Sequence, residues 1–96
     1  MVEVRQTDVF TEWFAELRDR EARARITVRI RRLSLGNPGD VRPVGSGVSE
    51  MRIDYGPVYR VYFVRRRDSA CHLSRRRDKR TQNQDTAMAI KLARDL

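Results

Sequence analysis

Strict alternation around one tight turn constrains this chain more than any other feature. From Val48 to Phe63 the residues switch between two classes at almost every step, interrupted at Tyr55-Gly56-Pro57, whose Gly-Pro pair marks a turn. A three-residue hairpin loop there opposes Asp54 to Val58, Ile53 to Tyr59 and Met51 to Val61. Met51, Ile53, Tyr59, Val61 and Phe63 then share one apolar face, whereas a slip of one residue sets Met51 against Arg60 and scrambles both faces. The other face receives Glu50, Arg52, Asp54, Val58, Arg60 and Tyr62, with Arg52 directly across from Arg60. Like charges so opposed cost a sheet a few tenths of a kcal/mol (about 0.2–1), which a bridging anion such as a phosphate relieves. The plain alternative is an ordinary surface network in which Glu50 or Asp54, two residues away on the same face, neutralises the pair.

An apolar ribbon face needs a cover, and the first third of the chain supplies one. Val2 and Val4 alternate with Glu3 and Arg5 as a short strand, and Thr7 or Asp8 offers an N-cap. Phe10, Trp13, Phe14 and Leu17 follow at helical spacing; in so small a domain such an aromatic stripe is core before it is a base-stacking platform. Asp19 caps a second helix whose Ala22, Ile26, Ile30 and Leu33 form the buried stripe, with Arg23, Arg25, Arg29, Arg31 and Arg32 on the solvated side. Gly36 and Pro38 end it, and the Gly-, Pro- and Ser-rich stretch from Gly36 to Val48 is expected to be loop, neither helix nor strand. Past the hairpin, a turn near Arg67-Asp68 leads to a third strand, Ser69 to Ser74, antiparallel to the second, with Cys71 and Leu73 inward. The run Arg75-Arg76-Arg77-Asp78-Lys79-Arg80 leaves that strand beside the hairpin, so its charges and the arginine pair are expected to line one concave surface. Thr81-Gln82-Asn83-Gln84 fits a capping box, and Ala87, Met88, Ile90, Leu92 and Ala93 suit a closing helix.

The expected fold is therefore α+β: one domain over residues 1–96, with an N-terminal strand, a two-helix layer packed on an antiparallel sheet with a three-stranded meander, and a C-terminal helix. No apolar run reaches the length of a membrane span and the first residues lack a signal-peptide core, so a cytoplasmic protein with no membrane partner is expected. Twenty-one Lys and Arg against thirteen Asp and Glu give a net charge of +8, which draws polyanions; nearly all of the cations are Arg, a skew that genome composition also produces. One cysteine, Cys71, and one histidine, His72, make neither a disulfide nor a zinc site, so no metal and no cofactor is expected. A two-histidine acid–base pair is impossible, and His72 reads as structural. What remains for phosphate chemistry is cationic: forked hydrogen bonds from Arg52 and Arg60, and Lys79 as a point charge or a proton carrier. Tyr55 at the hairpin tip and Tyr62 on the polar face are candidates for stacking on a base, with Arg75, Arg76, Arg77 and Arg80 as backbone contacts.

The segment Gly47-Val48-Ser49-Glu50-Met51-Arg52-Ile53-Asp54-Tyr55-Gly56-Pro57-Val58-Tyr59-Arg60-Val61-Tyr62-Phe63 closely resembles the HigB-like addiction module killer branch of the RelE/ParE toxin superfamily. The likeness extends to Phe10-Thr11-Glu12-Trp13-Phe14, to Leu35 through Gly45 and to Asp78-Lys79-Arg80-Thr81-Gln82. It implies a RelE-like fold and the toxin of a type II toxin–antitoxin system, a metal-independent mRNA interferase. Such an endoribonuclease cuts mRNA on the ribosome, inhibits translation and is neutralised by a cognate antitoxin, usually a helix-turn-helix protein. On that likeness Arg52 and Arg60 match the positions that hold the scissile phosphate, and Lys79 the basic position after the last strand. Two departures stand out: polar Ala70-Cys71-His72-Leu73-Ser74 followed by Arg75-Arg76-Arg77 replaces an apolar strand and a glycine pair, and Thr81 to Asp85 lacks the tyrosine some members carry. Two further readings therefore stay open, a ParE-like inhibitor of DNA gyrase and a catalytically weakened RNA-binding member of the family.

Overall fold

A computed structural model describes residues 3–56, 58–66, 69–76 and 79–95; the side chains of Leu73, Arg76 and Lys79 lie outside that description. The elements run β1 (Glu3–Gln6), α1 (Asp8–Glu16), α2 (Arg20–Ser34), β2 (Val41–Gly45), β3 (Val48–Ile53), β4 (Tyr59–Arg66), β5 (Ser69–Arg76), a single 3-10 turn (Lys79–Thr81) and α3 (Gln82–Arg94). Both early helices start where side-chain chemistry dictates. The Thr7 hydroxyl accepts from the Phe10 N–H, and Asp19 accepts from the N–H groups of Glu21 and Ala22. α2 stops where Gly36 takes φ +85°, which a glycine adopts without a Cβ clash.

The hairpin has the register that alternation demands. β3 and β4 pair Ile53 with Tyr59, Arg52 with Arg60 and Met51 with Val61, the ladder ending at Ile53–Tyr59. Pro57 of the tip, the Arg67-Asp68 turn, Val2, Arg77 and Asp78 lie outside the described residues.

Two expectations about the sheet need correction. The stretch after Gly36 is not all loop, because Val41–Gly45 forms β2 and pairs antiparallel with β3. Ser46 and Gly47, with φ +52° and +79°, are the two-residue turn that joins them, a conformation whose twist matches the flanking strands. Nor is the sheet wholly antiparallel with a three-stranded meander. The meander has four strands, β2 to β5, and β1 joins its far edge parallel to β5, giving the order β1-β5-β4-β3-β2. β5 also runs two residues beyond Ser74 and carries a bulge: Tyr62 pairs with Ser74 while Phe63 pairs with His72, so Leu73 is the extra residue.

Helices cover both faces of the sheet, and each face has its own core. Under α1 and α2 lie Phe10, Ile26, Leu33, Met51, Ile53, Val61, Phe63 and Ala70, with Trp13, Phe14, Leu17 and Tyr55 packed around them. The aromatic stripe of α1 is thus core. Under α3 lie Val48, Tyr62, Val64, Cys71, Ala89 and Ala93. The side of the hairpin read as polar is therefore half covered, with α3 on β4 and β5. Arg29 also departs from the solvated side of α2: half-buried, it donates to the carbonyls of Pro38, Asp40 and Arg52, and desolvation lowers its pKa.

Candidate phosphate site on the sheet

Strand pairing sets out the α3 side of the sheet as rows. One row holds Arg52, Arg60 and the backbone position of Arg76, which pairs with Arg60. The next holds Arg42, Glu50, Tyr62 and Ser74. The third, Val48, Val64 and Cys71, is apolar and packs under α3. Neighbouring strands are about 4.8 Å apart, so adjacent members of a row share one ligand-sized space.

Glu50 sits where the two polar rows meet. It is 5% exposed, and its Oε1 lies 3.4 Å from Arg60 Nε and 3.9 Å from Arg42 Nη2. A buried carboxylate needs such partners, because an uncompensated charge off water costs several kcal/mol. Glu50 thus neutralises Arg60 from a buried position in the neighbouring row. Asp54 makes no ion pair with either arginine among the described residues. Arg52 is exposed and forms no salt bridge among the described residues, which leaves its donors available to an anion.

The remaining candidates divide. Tyr62 is fully buried, its hydroxyl 3.1 Å from Thr86 Oγ1, so its ring has no open face for a base and the stacking role is withdrawn. Tyr55 lies on the opposite side of the sheet from Arg52 and Arg60. Its ring packs against the α1–α2 core, Arg25 sits 4.8 Å above it, and its hydroxyl donates to Asp19. Burial, then the Asp19 carboxylate, raises the phenol's pKa and keeps it protonated. Arg75 also faces away, with its guanidinium 5.7 Å from the Trp13 ring centre on the α1 side. The basic run therefore does not line one surface: the bulge turns Arg75 away while Arg76 aligns with Arg60 in register. Lys79 begins the 3-10 turn between β5 and α3, and Arg80 beside it is exposed. Thr81 is the N-cap of α3 without a side-chain capping bond, since its hydroxyl donates to buried Asp85 at 2.6 Å; the capping box is not formed.

His72 takes no part in this surface. It is buried between Phe10 and Phe63 on the other side of the sheet, and burial lowers its pKa to about 4. No three His, Cys, Asp or Glu side chains converge among the described residues, and no helix among them is long and apolar enough to cross a membrane. Sequence reasoning missed Arg42, which reaches the site from β2. Its signal was the Ser-Gly pair at 46–47, a two-residue hairpin turn between Gly45 and Val48.

No protein-family model matches the chain. An uncharacterized protein of Haemophilus influenzae is 38% identical over 95 residues, a match that spans 99% of this chain and 96% of the relative. Identity at that level over the full length of both chains reflects common descent, and the chain belongs to one family with that Haemophilus influenzae protein.

Proposed function

We propose that the protein is the toxin of a type II toxin–antitoxin module, an endoribonuclease that cuts mRNA on the ribosome with Arg52 and Arg60 on the scissile phosphate. One observation carries the reading: two arginines oppose each other on the same face of the hairpin, and only Arg60 has an acidic partner among the described residues. A sheet keeps such a pair at a cost that a bound phosphate removes. The likeness of the surrounding motif to HigB-type toxins gives the phosphate an owner.

In this reading the RNA 2′-hydroxyl attacks the adjacent phosphorus, the new 2′-O–P bond forms and the P–O5′ bond breaks. Products are a 2′,3′-cyclic phosphate and a 5′-hydroxyl, the proton of the first oxygen being taken up and the second supplied by acid–base groups. Forked guanidinium donors stabilise the charge that gathers on the non-bridging oxygens. Lys79, between β5 and α3 at the basic position that the resemblance implies, serves as a point charge or a proton carrier. The ribosome supplies the in-line geometry that so sparse a site lacks. Expression without an antitoxin should arrest growth and leave cuts in mRNA, and Arg52→Ala, at an exposed arginine with no acidic partner among the described residues, should relieve the arrest while keeping the fold. Arrest with intact transcripts, or an Arg52→Ala/Arg60→Ala variant as toxic as the parent, refutes the proposal.

A non-cleaving RNA-binding role is favoured by a different observation. His72 and Tyr62 are both fully buried, which removes two groups able to move protons from the surface that carries the arginines. Binding of RNA without any cut product would favour that role.

A further inference from the structure

Arg42, on β2 in the row beside the Arg52–Arg60 pair, adjoins a groove with the chemistry of a base pocket. We propose that Arg42 and the groove between β2 and α3 form a subsite for the nucleotide adjoining the phosphate on Arg52 and Arg60. The ligand is a nucleobase of single-stranded RNA with its phosphate, and the inference rests on the RNA-binding reading above.

Glu50 is the link. One buried carboxylate oxygen lies between Arg60 on β4 and Arg42 on β2, so the two guanidiniums are held on one face from strands about 9–10 Å apart. Their exposure differs: the Arg60 side chain is 21% exposed, that of Arg42 is 65%. A guanidinium carries five N–H donors, and the long 3.9 Å approach to Glu50 leaves most of those on Arg42 turned to solvent. An RNA strand leaving the Arg52–Arg60 pair diagonally across β3, past Glu50, meets Arg42.

Beyond Arg42 the sheet ends, because β2 is its outer strand among the described residues. Between that edge and α3 lies a groove of about 460 Å³. Pro43, Val44, Ala87 and Ile90 give it apolar walls, and Asn83 and Thr86 place hydrogen-bonding groups on it. A base needs both, apolar surface for its flat faces and an amide or hydroxyl for its edge. An isolated phosphate would have no use for the walls.

The test is binding of a short labelled single-stranded RNA, measured by fluorescence anisotropy, together with copies in which each base in turn is replaced by an abasic nucleotide. The parent should lose about tenfold in affinity at one abasic position. Ala87→Trp, at an exposed position on α3, fills the groove and should bind intact and abasic RNA alike. Arg42→Ala should weaken binding and flatten the dependence of log affinity on log salt by about 0.7, the loss of one phosphate contact on a single strand. Asn83→Ala gives an independent reading, a loss of preference among homopolymers. If Arg60→Ala weakens binding but the Arg42, Asn83 and Ala87 variants behave as the parent, the subsite is refuted and the phosphate site stands. If Arg60→Ala binds as the parent, both fall.

Discussion

The ring of His72 sits 5.2 Å from that of Phe10 and 6.2 Å from that of Phe63, and neither of its nitrogens has a hydrogen-bond partner among the described residues. A neutral imidazole tolerates this; an imidazolium does not. With a folded pKa near 4 against about 6.5 unfolded, the unfolded chain binds the extra proton between those values. The histidine's contribution is therefore complete above pH 6.5 and is lost as the pH falls towards 4, by about 3 kcal/mol at most. Thermal melts should show that decline in the parent and a flatter profile in His72→Phe between pH 6.5 and 4.5. A parallel decline in both proteins would place the proton elsewhere. Arg52 and Arg60 contrast with this residue in legibility. Their opposition follows from one turn and a period of two, whereas the ion pairs of buried Glu50 need β2 as well as β4 beside it.

Elements were legible in proportion to how local their causes are. α1 and α2 carry their caps and stripes within their own residues, and the β3–β4 register is contained in a single turn. β2 is different: Val41–Gly45 includes Pro43 and ends in Gly, so its own propensity is poor, and pairing with β3 supplies what it lacks. Pro43 is tolerated because β2 is an edge strand. The bulge at Leu73 leaves no local mark either, yet it decides where Arg75 faces. Arg29 ties α2 to the start of β2 by reaching three backbone carbonyls, Pro38, Asp40 and Arg52. Arg29→Ala should cost about 1–2 kcal/mol in chemical denaturation, since charged donors make the stronger hydrogen bonds and solvent at the Asp40 and Arg52 carbonyls weakens them. Gly39→Ala should act on the same tie, because its Cβ would lie 3.0 Å from Arg29 Nη2 at φ +80°. The double variant should then lose less than the sum of the two single losses, and strict additivity would mean that the glycine matters only for its own backbone.

At the scale of the whole molecule, a sheet covered on both faces explains how a chain with 35% charged residues folds: two small cores share one layer of strands. The sheet is also closed at one edge by its first strand, β1, lying parallel to its last, β5, with Thr7 donating to the His72 carbonyl just beyond the ladder. Such pairing is distant in sequence and forms late. Val4→Ala, half-buried in β1, should therefore raise the unfolding rate and leave the folding rate within about twofold of the parent in stopped-flow traces, and a slowed folding limb would put β1 in the nucleus. The same seam has a consequence for synthesis. β1 is made before β5, with two helices and three strands between them, so on the ribosome β1 stays unattached until β5 has emerged.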